Sequence, residues 1–239
     1  MELKIIHNGE SMFPPRLFVY GLQGIGKSTF AAQAPKPIFI PTEDGLRQIR
    51  VDSFPLTSSY QQVVDCLDGL LKEEHDYKTV VIDSADWLEQ FIIQSVIDEH
   101  GGRDIQTVGG GYGRGYKFVR DRWDEIRFRL QKLNEQKAMA VIILAHSQTK
   151  IIKDPEKGEI NQYSPKILDR SKDLLCQWAD AMLFATFQRG VYEGASPRIL
   201  RTQSSFFCEA KNRYGLEEQI PLNWNAFYNG VLMSRQQEK

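Results

Sequence analysis

The chain has 239 residues, of which 41% are hydrophobic and 26% charged, and its formal net charge is −1. That length and balance suit one α/β domain with a substantial core, and they argue against extensive disorder. The near-neutral charge excludes a basic coat for nucleic acid, so any polynucleotide contact must come from a local cluster of Lys and Arg.

The predicted elements alternate along the chain. Residues 17–20 form a short apolar run, followed by a Gly-rich turn and a helix over 28–34. A second apolar run covers 37–40, and helical spacing of apolar residues covers 59–75. The third run, 79–83, ends in an aspartate and leads to a helix over 87–100. Residues 101–115 hold seven glycines and fit no regular element, and a helix follows over 116–136. The fourth run is 138–145. The stretch 149–166 is irregular and contains Asp154-Pro155-Glu156-Lys157-Gly158, a turn signal of the kind that closes a hairpin. A helix over 168–178, a fifth run over 181–187 and further strands at 198–200 and 205–209 complete the pattern. Continuous apolar strands alternating with helices predict a mostly parallel sheet covered on both faces, with late antiparallel strands.

Met1 to Glu10 lack the apolar core of a signal peptide, and no window approaches the ~18 apolar residues of a membrane span. Cys66, Cys176 and Cys208 are widely spaced with no CxxC, which predicts neither a disulfide framework nor structural zinc. The expectation is a cytoplasmic protein without a membrane partner.

In a parallel sheet, ligands bind at the carboxyl ends of the strands. The polar residues that follow each apolar run therefore converge. Gly21-Leu-Gln-Gly24-Ile25-Gly26-Lys27-Ser28 matches G-x-x-x-x-G-K-[ST] between a strand and a helix. Its backbone N–H groups and the helix dipole suit the phosphates of ATP, with Thr29 in the first turn. Lys27 reaches the β- and γ-phosphates and Ser28 is a Mg²⁺ ligand. Asp83 has the form of a strand-end aspartate that holds Mg²⁺, a role compatible with the alternative of a helix N-cap. Glu43, in Pro41-Thr-Glu-Asp-Gly45, can orient and deprotonate an attacking water or can be a solvated turn acid. His146 and Gln148, after the fourth run, can sense the γ-phosphate, although a strand-end histidine bonded to backbone reads as well.

This set resembles the RecA-like P-loop ATPases, and more narrowly the small phage-borne RecA-like recombinases. The likeness runs over residues 20–224, on residues 20–28, Thr42-Glu-Asp-Gly45, Val81-Ile-Asp-Ser84, Ala145-His146, Trp178-Ala-Asp180 and Ala210-Lys-Asn-Arg-Tyr-Gly215. It implies a single RecA-like domain over 1–239, with Glu43 as the catalytic glutamate. Lys211-Asn-Arg213-Tyr-Gly215 is similar to the Lys-Asn-Arg-Phe-Gly stretch of RadA and to the Lys-x-Arg pair of DnaB-type helicases. The resemblance implies that Lys211 and Arg213 reach a neighbouring subunit's γ-phosphate in a ring or filament, where such a cation can raise the rate ~10³-fold or more. Without it, they read as a basic turn.

By the same likeness, two mobile loops, 101–117 and 149–172, contact single-stranded DNA. The first offers Arg103, Tyr112, Arg114, Tyr116 and Lys117, and the second offers Lys150 and Lys153. Aromatics can stack on bases while cations meet phosphate. A flexible lid over nucleotide is the alternative for the first loop. The implied function is a DNA-stimulated ATPase in recombination, annealing or repair, with a single-strand-binding protein as a further partner. A P-loop kinase and a nucleotide-gated assembly module remain open. A GTPase does not, because no Asn-Lys-x-Asp base-reading motif is present.

Overall fold

In the computed structural model, residues 14–154, 158–188 and 196–237 are described. The first strand, β1 (Arg16–Gly21), is buried along almost its whole length. It feeds the phosphate-loop turn and α1 (Lys27–Ala32). Then come β2 (Pro37–Pro41), the two-residue β3 (Asp52–Ser53), α2 (Tyr60–Lys72) and β4 (Thr79–Asp83). The helix α2 starts where Ser59 accepts a bond from the Gln62 N–H while the Gln62 side chain accepts from the Ser58 N–H, a near capping box. Its buried residues, Tyr60, Val63, Val64, Leu67 and Leu70, repeat at helical spacing.

After β4 follow α3 (Ala85–His100), a 3₁₀ turn at Val108–Gly110, and α4 (Arg114–Gln136). The strand β5 (Ala140–Asp154) is much longer than the run 138–145 predicts, because it continues out of the sheet into a hairpin with β6 (Gly158–Pro165). The expected irregular loop at 149–166 is therefore a ladder from Ser147↔Pro165 to Asp154↔Gly158. Its expected turn residues Pro155, Glu156 and Lys157 lie outside the described residues, as do 1–13. The chain then forms α5 (Asp169–Trp178), β7 (Ala181–Phe187), β8 (Arg198–Arg201), β9 (Lys211–Asn212), β10 (Gln219–Pro221) and α6 (Trp224–Gln237). The strand expected at 205–209 is reduced to a single bridge, Tyr163↔Cys208.

The sheet order is β10-β8-β7-β1-β5-β4-β2-β3, with β6 paired to β5 and β9 to β7. From β7 to β3 the pairings are parallel, and β8, β9 and β10 add antiparallel edges. Side-chain alternation along each strand splits the core in two. Phe18, Tyr20, Val141 and Ile143 face α2, α3, α4 and α5, around the fully buried Trp123. Leu17, Val19, Ile142 and Leu144 face α1 and α6, around Phe30 and Phe227. The six parallel strands thus end side by side at one edge, and β5 lies between β1 and β4.

Candidate nucleotide site

The phosphate loop leaves β1 at Gly21, where the chain has no room for a side chain. A Cβ there would sit 2.3 Å from the Ala185 carbonyl oxygen on β7. Gly26, just before α1, holds φ 108, in the left-handed region that side chains disfavour. Ile25 anchors the loop from below, fully buried among the α1-side core residues. Gly24 and Thr29 are exposed.

Lys27 is buried, and its Nζ donates to the carbonyls of Gly21 and Leu22 at 3.1 and 3.0 Å. Burial lowers its pKa, against the pull of Asp83 and Glu43. Ser28 donates its hydroxyl to Asp83 Oδ2 at 2.6 Å. Asp83 is 4% exposed. Burial pushes its carboxyl above the usual range, Glu43 adds to this, and the Ser28 bond and Lys27 oppose it. A hydroxyl and a buried carboxylate converging under a phosphate loop fit Mg²⁺, which takes oxygen ligands and typically keeps one or two carboxylates beside substrate phosphates.

Thr42 fixes the position of Glu43. Its N–H donates to the Asp83 carbonyl, its hydroxyl donates to the Ser84 carbonyl, and it accepts from the Ser84 N–H, all at 2.7 Å. These bonds clamp the end of β2 to the end of β4 and bring the next residue, Glu43, to the same edge. Glu43 Oε1 lies 3.8 Å from His146 Nε2. His146 stands at the end of the parallel part of β5, paired with Gly21. Its backbone N–H donates to Asp86 Oδ1 at 3.0 Å and its Nδ1 lies 2.9 Å from Asp86 Oδ2. Gln148, two residues on, donates to the Pro165 carbonyl at 2.8 Å and so closes the base of the β5–β6 hairpin. Glu43, Asp86, His146 and Gln148, with Leu22 and Lys166, line a cleft of about 670 Å³.

The structure therefore brings Gly21–Ser28, Asp83, Glu43, His146 and Gln148 together, as strand order predicts. It also adds groups that sequence reading missed. Asp86 was legible only as the second acid of Asp83-Ser-Ala-Asp86. Arg198 lies so close to the loop that a Cβ on Gly26 would be 3.1 Å from its Nη1, and no local signal marks it.

Lys211 and Arg213 lie elsewhere. They belong to β9 and the turn after it, beside the start of β7, whereas the phosphate loop lies level with the end of β7. The Lys211 ammonium donates to the carbonyls of Cys176, Ala179 and Gln177 at 2.6, 2.8 and 3.2 Å. It caps the C-terminus of α5 within its own chain. Arg213 donates to the Gln177 carbonyl at 3.0 Å and its side chain stays 52% exposed. Tyr214 and Arg16 both bond Asp180, so the Trp178-Ala-Asp180 and Lys211–Gly215 stretches form one knot.

The loop residues are also separated from the phosphates. The 16 residues of α3, at ~1.5 Å each, place about 24 Å between Asp83 and residue 101. Arg103 and Tyr112 are exposed there, with Tyr112 fully so. Arg114 donates to the Gly109 carbonyl and begins α4, whose first turns carry Tyr116 and Lys117. On the hairpin, Lys150 pairs with Asp169, and Lys153 is exposed. Loop 101–113 is folded by bonds between Asp104 and Thr107. No described helix is long and apolar enough to cross a membrane.

A family model described as an AAA domain matches residues 14–214. The chain is also 25% identical over 162 residues to the SPbeta prophage-derived uncharacterized protein YorG of Bacillus subtilis (strain 168). That match covers 66% of this chain and 48% of the relative, so the chain spans about half the relative's length.

Proposed function

The chain belongs to this AAA domain family, and from that premise we propose that it is a single-domain, RecA-like ATPase that hydrolyses ATP to ADP and phosphate. The observation that carries the reading is the convergence of Ser28, Asp83, Glu43 and His146 at one edge of the parallel sheet. Residues 21–29 hold the phosphates, and Ser28 and Asp83 hold Mg²⁺. The metal supplies positive charge beside the phosphate oxygens. Glu43 takes a proton from the attacking water as the new O–P bond forms and the bond to ADP breaks. The test is Glu43→Gln. It should lower kcat by about 10²–10⁴-fold while ATP binding persists. An unchanged rate refutes the assignment. A phosphorylated acceptor in place of free phosphate would make the protein a kinase, and binding without turnover would make it an assembly module.

The proposal extends to single-stranded DNA in recombination, annealing or repair, in the cytoplasm of a phage host. Its supports are the resemblance of the motif set, the prophage origin of the relative and the exposed Arg103, Tyr112, Lys117 and Lys153. Lys150 and Arg114 contribute less, since each already has a partner in its own chain. A ring or filament is part of the same reading, with Arg213 as the cation for a neighbouring site and a single-strand-binding protein as a partner. Anisotropy of a labelled oligonucleotide at two salt concentrations tests it. Absence of binding at low salt with ATP refutes the DNA role. Recovery of hydrolysis on mixing Lys27→Ala and Arg213→Ala subunits is the expected sign of shared sites.

A further inference from the structure

We propose that Asp86 is a positioning residue for hydrolysis: it holds the His146 ring with Nδ1–H turned inward, so that Nε2 faces Glu43 and the cleft. The inference rests on the ATPase reading above. Asp86 lies in the first turn of α3, is 7% exposed, and gives both of its oxygens to one residue. Oδ1 takes the His146 backbone N–H at 3.0 Å, and Oδ2 takes the ring at 2.9 Å. An ionised carboxylate can only accept, so the ring nitrogen it meets must carry the proton. The N-terminal end of α3 favours a negative charge at this place. Burial pushes the Asp86 carboxyl up, but the bonds from His146 outweigh it and hold the carboxyl below its usual range. The same side-chain bond raises the His146 pKa.

The two-point contact fixes more than charge. Backbone and ring of one residue are held by one carboxylate, so the ring's rotation is set as well as its tautomer. The opposite nitrogen, Nε2, is then 3.8 Å from Glu43 Oε1, too long for a hydrogen bond and close enough to exchange one as Glu43 moves onto water. Charged groups around this ring come from three other elements: Asp86 on α3, Lys27 on α1 and Glu43 after β2. With Nδ1–H committed to Asp86, Nε2 accepts in the neutral ring and donates only in the imidazolium, which can then meet a phosphoryl oxygen in the cleft or the Glu43 carboxylate. His146 is thereby a group whose direction is set by a second residue, and Asp86 acts through it.

Two measurements test this on the full chain. Long-range ¹H–¹⁵N spectra without nucleotide, with His146 assigned by its loss in His146→Asn, should show a proton on Nδ1. Asp86→Asn should change that signature. In steady-state assays Asp86→Asn should lower kcat about 10–100-fold and leave KM for MgATP within about twofold. His146→Asn should do the same, and the double variant should be no worse than either single change. A wild-type His146 without a proton on Nδ1 overturns the proposal, whatever the variants do. A double variant whose loss is the product of the single losses overturns it too. A wild-type chain without any turnover defeats the ATPase reading, and the spectra still decide how Asp86 holds the ring.

Discussion

Lys211→Met separates two roles for the basic stretch at 211–215. In the structure one ammonium meets three carbonyls at the end of α5, at 2.6, 2.8 and 3.2 Å. A hydrogen bond to a charged group contributes about 1.5–3 kcal/mol net, and the three share one partly exposed cation, so they are counted once. A cation at a helix C-terminus adds about 0.3–1 kcal/mol. Methionine keeps the aliphatic stem and removes the donor, so the expected loss is about 2–4 kcal/mol, or roughly 4–16 °C in Tm for a domain of this size. Arg213→Met is the internal control. Its side chain is half-exposed and bonds one carbonyl, and the expected cost is below about 1 kcal/mol. Urea unfolding of both variants, with equal slopes, gives the two numbers. Hydrolysis by folded Lys211→Met, at a temperature well below its midpoint, should stay within about twofold of wild type. A variant as stable as wild type with its turnover abolished would refute the cap and return Lys211 to the neighbouring subunit's site.

Three further outcomes follow from other contacts. Gly21→Ala forces a Cβ to within 2.3 Å of the Ala185 carbonyl, so it should cost about 2–3 kcal/mol in urea unfolding and weaken ATP binding together. Gly115→Ala meets the Ile105 carbonyl at 2.1 Å; faster hydrogen exchange confined to 101–113, with the sheet amides unchanged, is the expected result. The Asp86–His146 pair has a pH window. The Asp86 value is lowered from 3.8, so its contribution is present above 3.8 and lost as pH falls through the folded value. The His146 value is raised from 6.5, so its contribution is complete below 6.5 and lost as pH rises through the folded value. The stability difference between wild type and His146→Asn should therefore be largest and level between 3.8 and 6.5 and shrink on either side, and a difference that does not shrink outside that range would refute the pairing.

The parallel half of the sheet was legible because its strands are apolar runs with nothing else to do. Residues 17–20, 37–40, 79–83 and 181–187 reappear within a residue or so of their expected ends. The phosphate loop, Asp83, Glu43 and His146 were legible for the same reason, since strand ends share an edge. What was hidden depends on partners distant in sequence. The second half of β5 is polar, and only pairing with β6 makes it a strand. Thr42 is an ordinary turn residue until the Asp83–Ser84 peptide lies beside it. Lys211 is a surface cation by spacing and a helix cap by contact, because residues 176–179 end α5 against it. Ser205 to Glu209 carry strand-like residues, yet their bonds go to the edge of the hairpin at Tyr163.

The length of β5 ties these parts together mechanically. Its first half is held between β1 and β4 through Ile142↔Leu17, Ile143↔Phe18 and their neighbours, so it cannot slide without breaking the centre of the sheet. Its second half leaves the sheet as one arm of the hairpin. His146 and Gln148 sit at the join, two residues apart and therefore on one face. The His146 carbonyl accepts from the Lys166 N–H at 2.8 Å, and Gln148 holds the Pro165 carbonyl at the same distance. Tyr20, one turn of the pleat before the phosphate loop, donates to the carbonyls of Tyr163 and Glu209 on the far side of that hairpin. A rotation of the His146 ring would break its contact with Asp86, whereas a shift of the His146 backbone would carry the hairpin base with it. Because the parallel half is fixed, the compliant element is the hairpin, and Lys153 and Ile151 near its tip are the exposed side chains that such a movement would displace.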